Sequence, residues 1–133
     1  MKKIIFTYVL SSLLFGCEKN AQEFSIGGTY GNKSQNRGSE LDVIALPNNS
    51  YSAHINAYYQ FGKIDDGMVN ICDIEGILKP ISEKSYLLSD EYSSVILTFK
   101  NTGVNVTGVK IEGCGQGVED SVVGNYIKVK DKK

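Results

Sequence analysis

The sequence predicts an all-β fold, a single small antiparallel barrel or sandwich of seven to eight strands. Three observations lead there. Helical periodicity is nearly absent beyond residue 22, short β-branched and aromatic runs recur with turn residues between them, and the clearest run alternates at period two. The stretch from Cys17 to Lys133 is one domain's worth of chain.

Taken in order, Gly28-Thr29-Tyr30 opens the body, and Gly124-Asn125-Tyr126 echoes it near the end. If the first and last strands pair, the exposed edges that invite aggregation disappear, so closure is the preferred architecture and an open sandwich the second choice. A strand over Glu40 to Leu46 leads into Pro47-Asn48-Asn49-Ser50, a turn that exploits the tolerance of asparagine for positive φ. The run Tyr51 to Gln60 (YSAHINAYYQ) follows, with Tyr51, Ala53, Ile55, Ala57 and Tyr59 facing inward and His54 on the polar face. Asp65-Asp66-Gly67 marks the turn between Ala57 to Ile64 and Met68 to Leu78, and Pro80 excludes the middle of a central strand. Ser93, Val95, Leu97 and Phe99 alternate with polar residues, turn at Lys100-Asn101-Thr102-Gly103, and continue as Val104 to Glu112. Gly115 and Gly117 bend the chain into a turn that can protrude, and the last strand begins near Val122.

Upstream of this body, Met1-Lys2-Lys3 precedes Ile4 to Phe15, twelve residues with no charged side chain. A spanning helix needs about 20 apolar residues, so the layout is that of a cleaved signal peptide. The break at Leu14-Phe15-Gly16-Cys17 resembles the bacterial lipobox. That resemblance implies a lipoprotein signal peptide over 1–16, an acylated Cys17, a polar tether over 17–22, and a β-rich domain over 23–133 ending in a basic tail. It also implies lipid anchoring in the bacterial cell envelope, at the outer membrane facing the periplasm. The same layout also reads as an ordinary secretory signal with an unmodified cysteine. With Cys17 acylated, Cys72 and Cys114 remain in an oxidising compartment, and a disulfide between them is the economical reading.

Cleavage removes Lys2 and Lys3 from the 14 basic residues, leaving 12 against 15 acidic ones. Between Glu23 and Ile127 the balance is 7 basic to 13 acidic, while Lys128, Lys130, Lys132 and Lys133 form the tail. An acidic body argues against nucleic acid, whose phosphates demand a basic face. It suits a basic partner, or it simply keeps an exported domain soluble.

Candidates for chemistry thin quickly. His54 is the only histidine, which excludes histidine-rich metal sites and paired-histidine mechanisms, and no serine nucleophile motif accompanies it. Asp73 and Glu75 share a strand face, and Asp65-Asp66 and Glu119-Asp120 are adjacent pairs, but acidic residues at turns are usually solvated. Gly113-Cys114-Gly115-Gln116-Gly117 lacks the strand, the helix and the spacing of a nucleotide-binding loop. The sequence therefore assigns no catalytic residue, no metal ligand and no cofactor.

The segments Ile71-Cys72-Asp73-Ile74-Glu75-Gly76 and Gly113-Cys114-Gly115, with the closing Gly124-Asn125-Tyr126 strand, resemble small β-rich bacterial lipoproteins of the lysozyme-inhibitor-like type. Where members of that group often carry a further cysteine, this chain has Ser93 and Ser94. The resemblance implies a non-enzymatic, protein-binding module that inhibits a lysozyme-type cell-wall hydrolase or confers immunity to one. Asp65 and Asp66, or Glu119 and Asp120, would meet the basic surface of that partner and speed association. The alternative is a small-ligand-binding barrel with Tyr51, Tyr59 and Phe99 lining a cavity, although those aromatics equally fill a core.

Overall fold

The computed structural model describes residues 25–62, 67–115 and 117–131. Nine strands form one antiparallel sheet: β1 Gly28–Lys33, β2 Arg37–Leu46, β3 Ser50–Gln60, β4 Val69–Ile77, β5 Lys79–Pro80, β6 Ser85–Ser89, β7 Ser94–Phe99, β8 Gly103–Lys110 and β9 Gly124–Lys130. Their order across the sheet is β4-β3-β2-β1-β9-β8-β7-β6-β5. Omitting the two-residue β5, which holds Pro80 at the sheet edge, the order is a sequential meander bent round until β1 meets β9. The ninth strand is that short β5, one more than the sequence predicts; proline at its end lacks the N–H needed to extend a ladder.

Each hairpin follows from its turn chemistry. Asn48 and Asn49 adopt φ of 71° and 60°, and the β2–β3 register they set places Leu46 opposite Ser50. Along β3 the inward positions Ala53, Ile55 and Ala57 are buried and Tyr51 and Tyr59 half-buried, as the alternation predicts. At the next turn, the Lys100 N–H donates to the Gly103 carbonyl at 2.8 Å, closing the β7–β8 hairpin. The inward faces converge on Tyr30, Leu41, Val43, Ile55, Ile74, Leu88, Leu97, Phe99 and Tyr126, all fully or almost fully buried. Phe99 is part of this packing: its ring lies 5.7 Å from those of Tyr30 and Tyr86, edge to face in both cases. Side chains thus fill the interior where a cavity around Phe99 would have to lie.

Closure is complete on one side and interrupted on the other. β1 and β9 pair directly, whereas β4 and β6 touch without a ladder, Gly76 backing onto the Ser89 carbonyl. Below that contact the β7–β8 pair is extended by side-chain bonds. Ser93 Oγ donates to the Glu112 carbonyl at 2.8 Å and accepts from the Glu112 N–H at 3.1 Å. Two residues on, Cys114 is disulfide-bonded to Cys72 of β4, with the Cα atoms 4.8 Å apart. The covalent bond stands where the hydrogen-bonded ladder stops.

The segment after Cys114 departs from the sequence expectation. Instead of protruding, it folds across one end of the barrel, with Gly115 against Asn70 and Gly117 against Tyr59, and makes a four-residue helix, α1, over Glu119–Val122. Val118 and Val122 are four residues apart, so one helical turn sends both into the core, where they are completely buried. The last strand accordingly starts at Gly124 rather than near Val122. Gly117 could hardly be another residue: its φ is +82°, and an added Cβ would lie 2.7 Å from the Tyr59 ring.

Candidate functional site

Strand alternation and hairpin register together build an acidic outer face on β2, β3 and β4. Glu40 and Asp42 lie two apart on β2, His54 and Asn56 on β3, Asp73 and Glu75 on β4, so within each strand both side chains point to the same side. The β2–β3 register pairs Asp42 with His54 and Glu40 with Asn56, and the β3–β4 register pairs His54 with Glu75 and Asn56 with Asp73. Two rows result, Asp42-His54-Glu75 and Glu40-Asn56-Asp73. Neighbouring strands lie about 4.8 Å apart, which gathers four carboxylates around one imidazole.

Specific contacts order this face. His54 Nε2 and Asp73 Oδ1 are 2.8 Å apart, a diagonal pair linking the two rows. Thr29 Oγ1 on β1 donates to Asp42 Oδ1 at 2.6 Å. Beside them, Lys33, Gly38, Glu40, Asp42, His54 and Tyr58 line an open groove of 430 Å³. Its floor exists because residue 38 is glycine: a Cβ there would come within 2.8 Å of the Tyr58 ring, which lies over it. Chemically the groove offers carboxylate acceptors, a phenol ring and an amide alongside the Lys33 ammonium and the His54 imidazole, and the carboxylates and the phenol ring are the groups that can receive a further lysine or arginine side chain. Among the described residues no group of three or more His, Cys, Asp or Glu is placed to hold a metal ion.

The residues singled out from sequence fall partly elsewhere. Glu119 and Asp120 occupy the first turn of α1 at the capped end, both exposed, and Asp120 Oδ2 lies 3.6 Å from Arg37 Nη1. Arg37 in turn sits over the Tyr59 ring at 4.7 Å, so Asp120 belongs to a small ordered cluster rather than a free loop. Asp65 and Asp66 lie outside the described residues, although the strand ends flanking them, Gln60 and Val69, are paired at this same end. Cys17 also lies outside the described residues. Cys72 and Cys114 are joined as expected.

No family model, curated protein or solved structure matches the chain. Among the described residues no helix is long and apolar enough to cross a membrane.

Strand alternation in the sequence puts His54 on a polar face and Asp73 with Glu75 on a common one, but nothing within either strand joins them to Glu40 and Asp42. The joining signal is the length of the Pro47–Ser50 turn, which fixes which β2 residue faces which β3 residue.

Proposed function

We propose that this chain is a lipid-anchored, non-enzymatic protein of the bacterial cell envelope, at the outer membrane facing the periplasm. There it binds a cationic cell-wall hydrolase of the lysozyme type, as its inhibitor or as an immunity protein. The observation that carries this reading is the acidic outer face, where Glu40, Asp42, Asp73 and Glu75 surround His54 on three adjacent strands. Maintaining four carboxylates side by side costs folding energy through mutual repulsion, a cost that a positively charged partner relieves. The 430 Å³ groove beside them gives one cationic side chain a place to enter, with Tyr58 as its apolar wall. Glu119 and Asp120 extend the negative field at the capped end and steer the approach.

The test is association kinetics with lysozymes of several classes. Asp73→Asn with Glu75→Gln should slow association at least about tenfold at low salt, and rising salt should erase most of the difference. Glu119→Gln with Asp120→Asn should give a smaller effect in the same direction. Absence of binding to every class at micromolar protein would overturn the reading. Cys17→Ser, which removes the acylated residue, should move the processed chain from the membrane to the soluble fraction.

A further inference from the structure

The two ends of the barrel carry opposite charge. Strand direction puts the N-terminal entry at Ser25, the Leu78–Lys84 connection, the β7–β8 turn and the end of β9 at one end, here the terminal end. Exposed there are Lys79, Lys84, Lys100 and Lys130, with Glu83 and Asp131 as the acidic residues. The capped end instead carries Asp90, Glu91, Glu112, Glu119 and Asp120; ion pairs occur at both ends, Arg37 with Asp120 and Lys110 with Glu112 at the capped end and Lys128 with Asp131 at the terminal end. The terminal end has a second property: Ile77, Ile81, Ile127 and Val129 are each more than half exposed among its lysines.

We propose that the terminal end docks on the anionic headgroup surface of the membrane. Lysines interspersed with exposed aliphatic side chains are the combination that binds such an interface, the ammonium groups reaching phosphates while the aliphatic groups enter the headgroup boundary. Chain geometry selects lipid over other anionic surfaces. The body is entered at Ser25, whose carbonyl accepts a 2.9 Å hydrogen bond from Lys128 Nζ, so the chain emerges within the basic patch itself. The docking rests on the anchoring of Cys17 proposed above. Eight residues from Cys17 to Ser25 span at most about 28 Å, less than a domain diameter, which keeps this end next to the bilayer. The acidic end is thereby held towards the aqueous side.

The experiment uses the processed chain in vesicles of phosphatidylcholine alone or with phosphatidylglycerol, treated with a water-soluble lysine-acylating reagent and mapped by mass spectrometry. With phosphatidylglycerol, modification of Lys79, Lys100 and Lys130 should slow at least about fivefold, while Lys33 and Lys110 react equally in both. Lys100→Glu with Lys130→Glu should remove the protection of Lys79; Lys33→Glu with Lys110→Glu, an identical change in net charge, should leave it. Equal labelling in the two vesicle types, or protection at Lys33 and Lys110, overturns the proposal. So does protection that appears in native envelope membranes and not in protein-free vesicles, because a protein then covers this end. Failure of the chain to remain on phosphatidylcholine vesicles overturns only the lipid-anchor reading, since the labelling pattern with phosphatidylglycerol still reports the docking.

Discussion

Tyr30 and Tyr126 make the same hydrogen bond from the two strands that close the barrel. The Tyr30 hydroxyl donates to the Ile26 carbonyl at 2.8 Å, and the Tyr126 hydroxyl donates to the Val122 carbonyl, in each case four residues back along the chain. Both rings are about 1% exposed, so each hydroxyl needs a hydrogen-bond partner, and finds it in a carbonyl from the segment leading into its own strand. The bonds therefore brace the entries to β1 and β9 rather than the strands themselves. Tyr30→Phe and Tyr126→Phe should each lower unfolding free energy by about 1 to 1.5 kcal/mol, read as a shift in urea midpoint at constant slope.

The same two phenols set an alkaline limit. Burial pushes Tyr30 up from the usual 10 to about 12, with the Asp131 carboxylate adding to it. Burial likewise pushes Tyr126 up to about 12, against a smaller opposing effect of the Ser39 hydroxyl. Because the folded state favours the neutral phenol, the stabilisation is whole below the unfolded value and is lost as pH rises through the folded one. Unfolding free energy should fall between pH 10 and 12, and the variant carrying both Phe substitutions should fall less steeply over that window.

Replacing Cys72 and Cys114 by serine should cost about 4 kcal/mol, the chain-entropy expectation for a closed loop of 42 residues. The loss should be felt first at the capped end. Hydrogen exchange at the Val118 amide, which bonds the Gly115 carbonyl, should accelerate more than exchange in the β2–β3 ladder.

Two substitutions in the capping segment should act in opposite directions. Gly117→Ala forces a left-handed backbone on a residue with a Cβ and drives that atom into Tyr59, so it should destabilise by more than about 1 kcal/mol. Ser121→Ala removes a buried hydroxyl that has no hydrogen-bond partner among the described residues and places a better helix former in α1, so it should stabilise by up to about 1 kcal/mol. Thermal denaturation of both variants checks the pair.

Much of this fold is readable in the sequence. Period-two alternation orients Ala53, Ile55 and Ala57 inward, turn residues mark the bends at Asn48-Asn49 and Lys100–Gly103, and the echo of Gly28-Thr29-Tyr30 in Gly124-Asn125-Tyr126 points to β1–β9 closure as the economical way to remove sheet edges. The α1 helix escaped because a single turn with two buried valines, Val118 and Val122, has too few residues to show a period. The acidic face escaped for a different reason. Asp42 and Glu75 are 33 positions apart and become neighbours only through His54, so two independent hairpin registers must be known before the cluster exists. Local pattern dictates which way a side chain points; which residues share that face depends on turn lengths multiplied across strands.

The meander order carries a kinetic consequence. Among the described residues every strand ladder joins sequence neighbours except β1–β9, which pairs Tyr30 with Lys128 across nearly the whole body. The hairpins can form early and locally, each closing a short loop, whereas the β1–β9 ladder must wait until its two ends are brought together at a much larger entropic cost. That late ladder is also the one the two phenol bonds brace from either side. The Phe substitutions at Tyr30 and Tyr126 should therefore accelerate unfolding while leaving the refolding rate almost unchanged, the signature of contacts made after the folding barrier has been crossed.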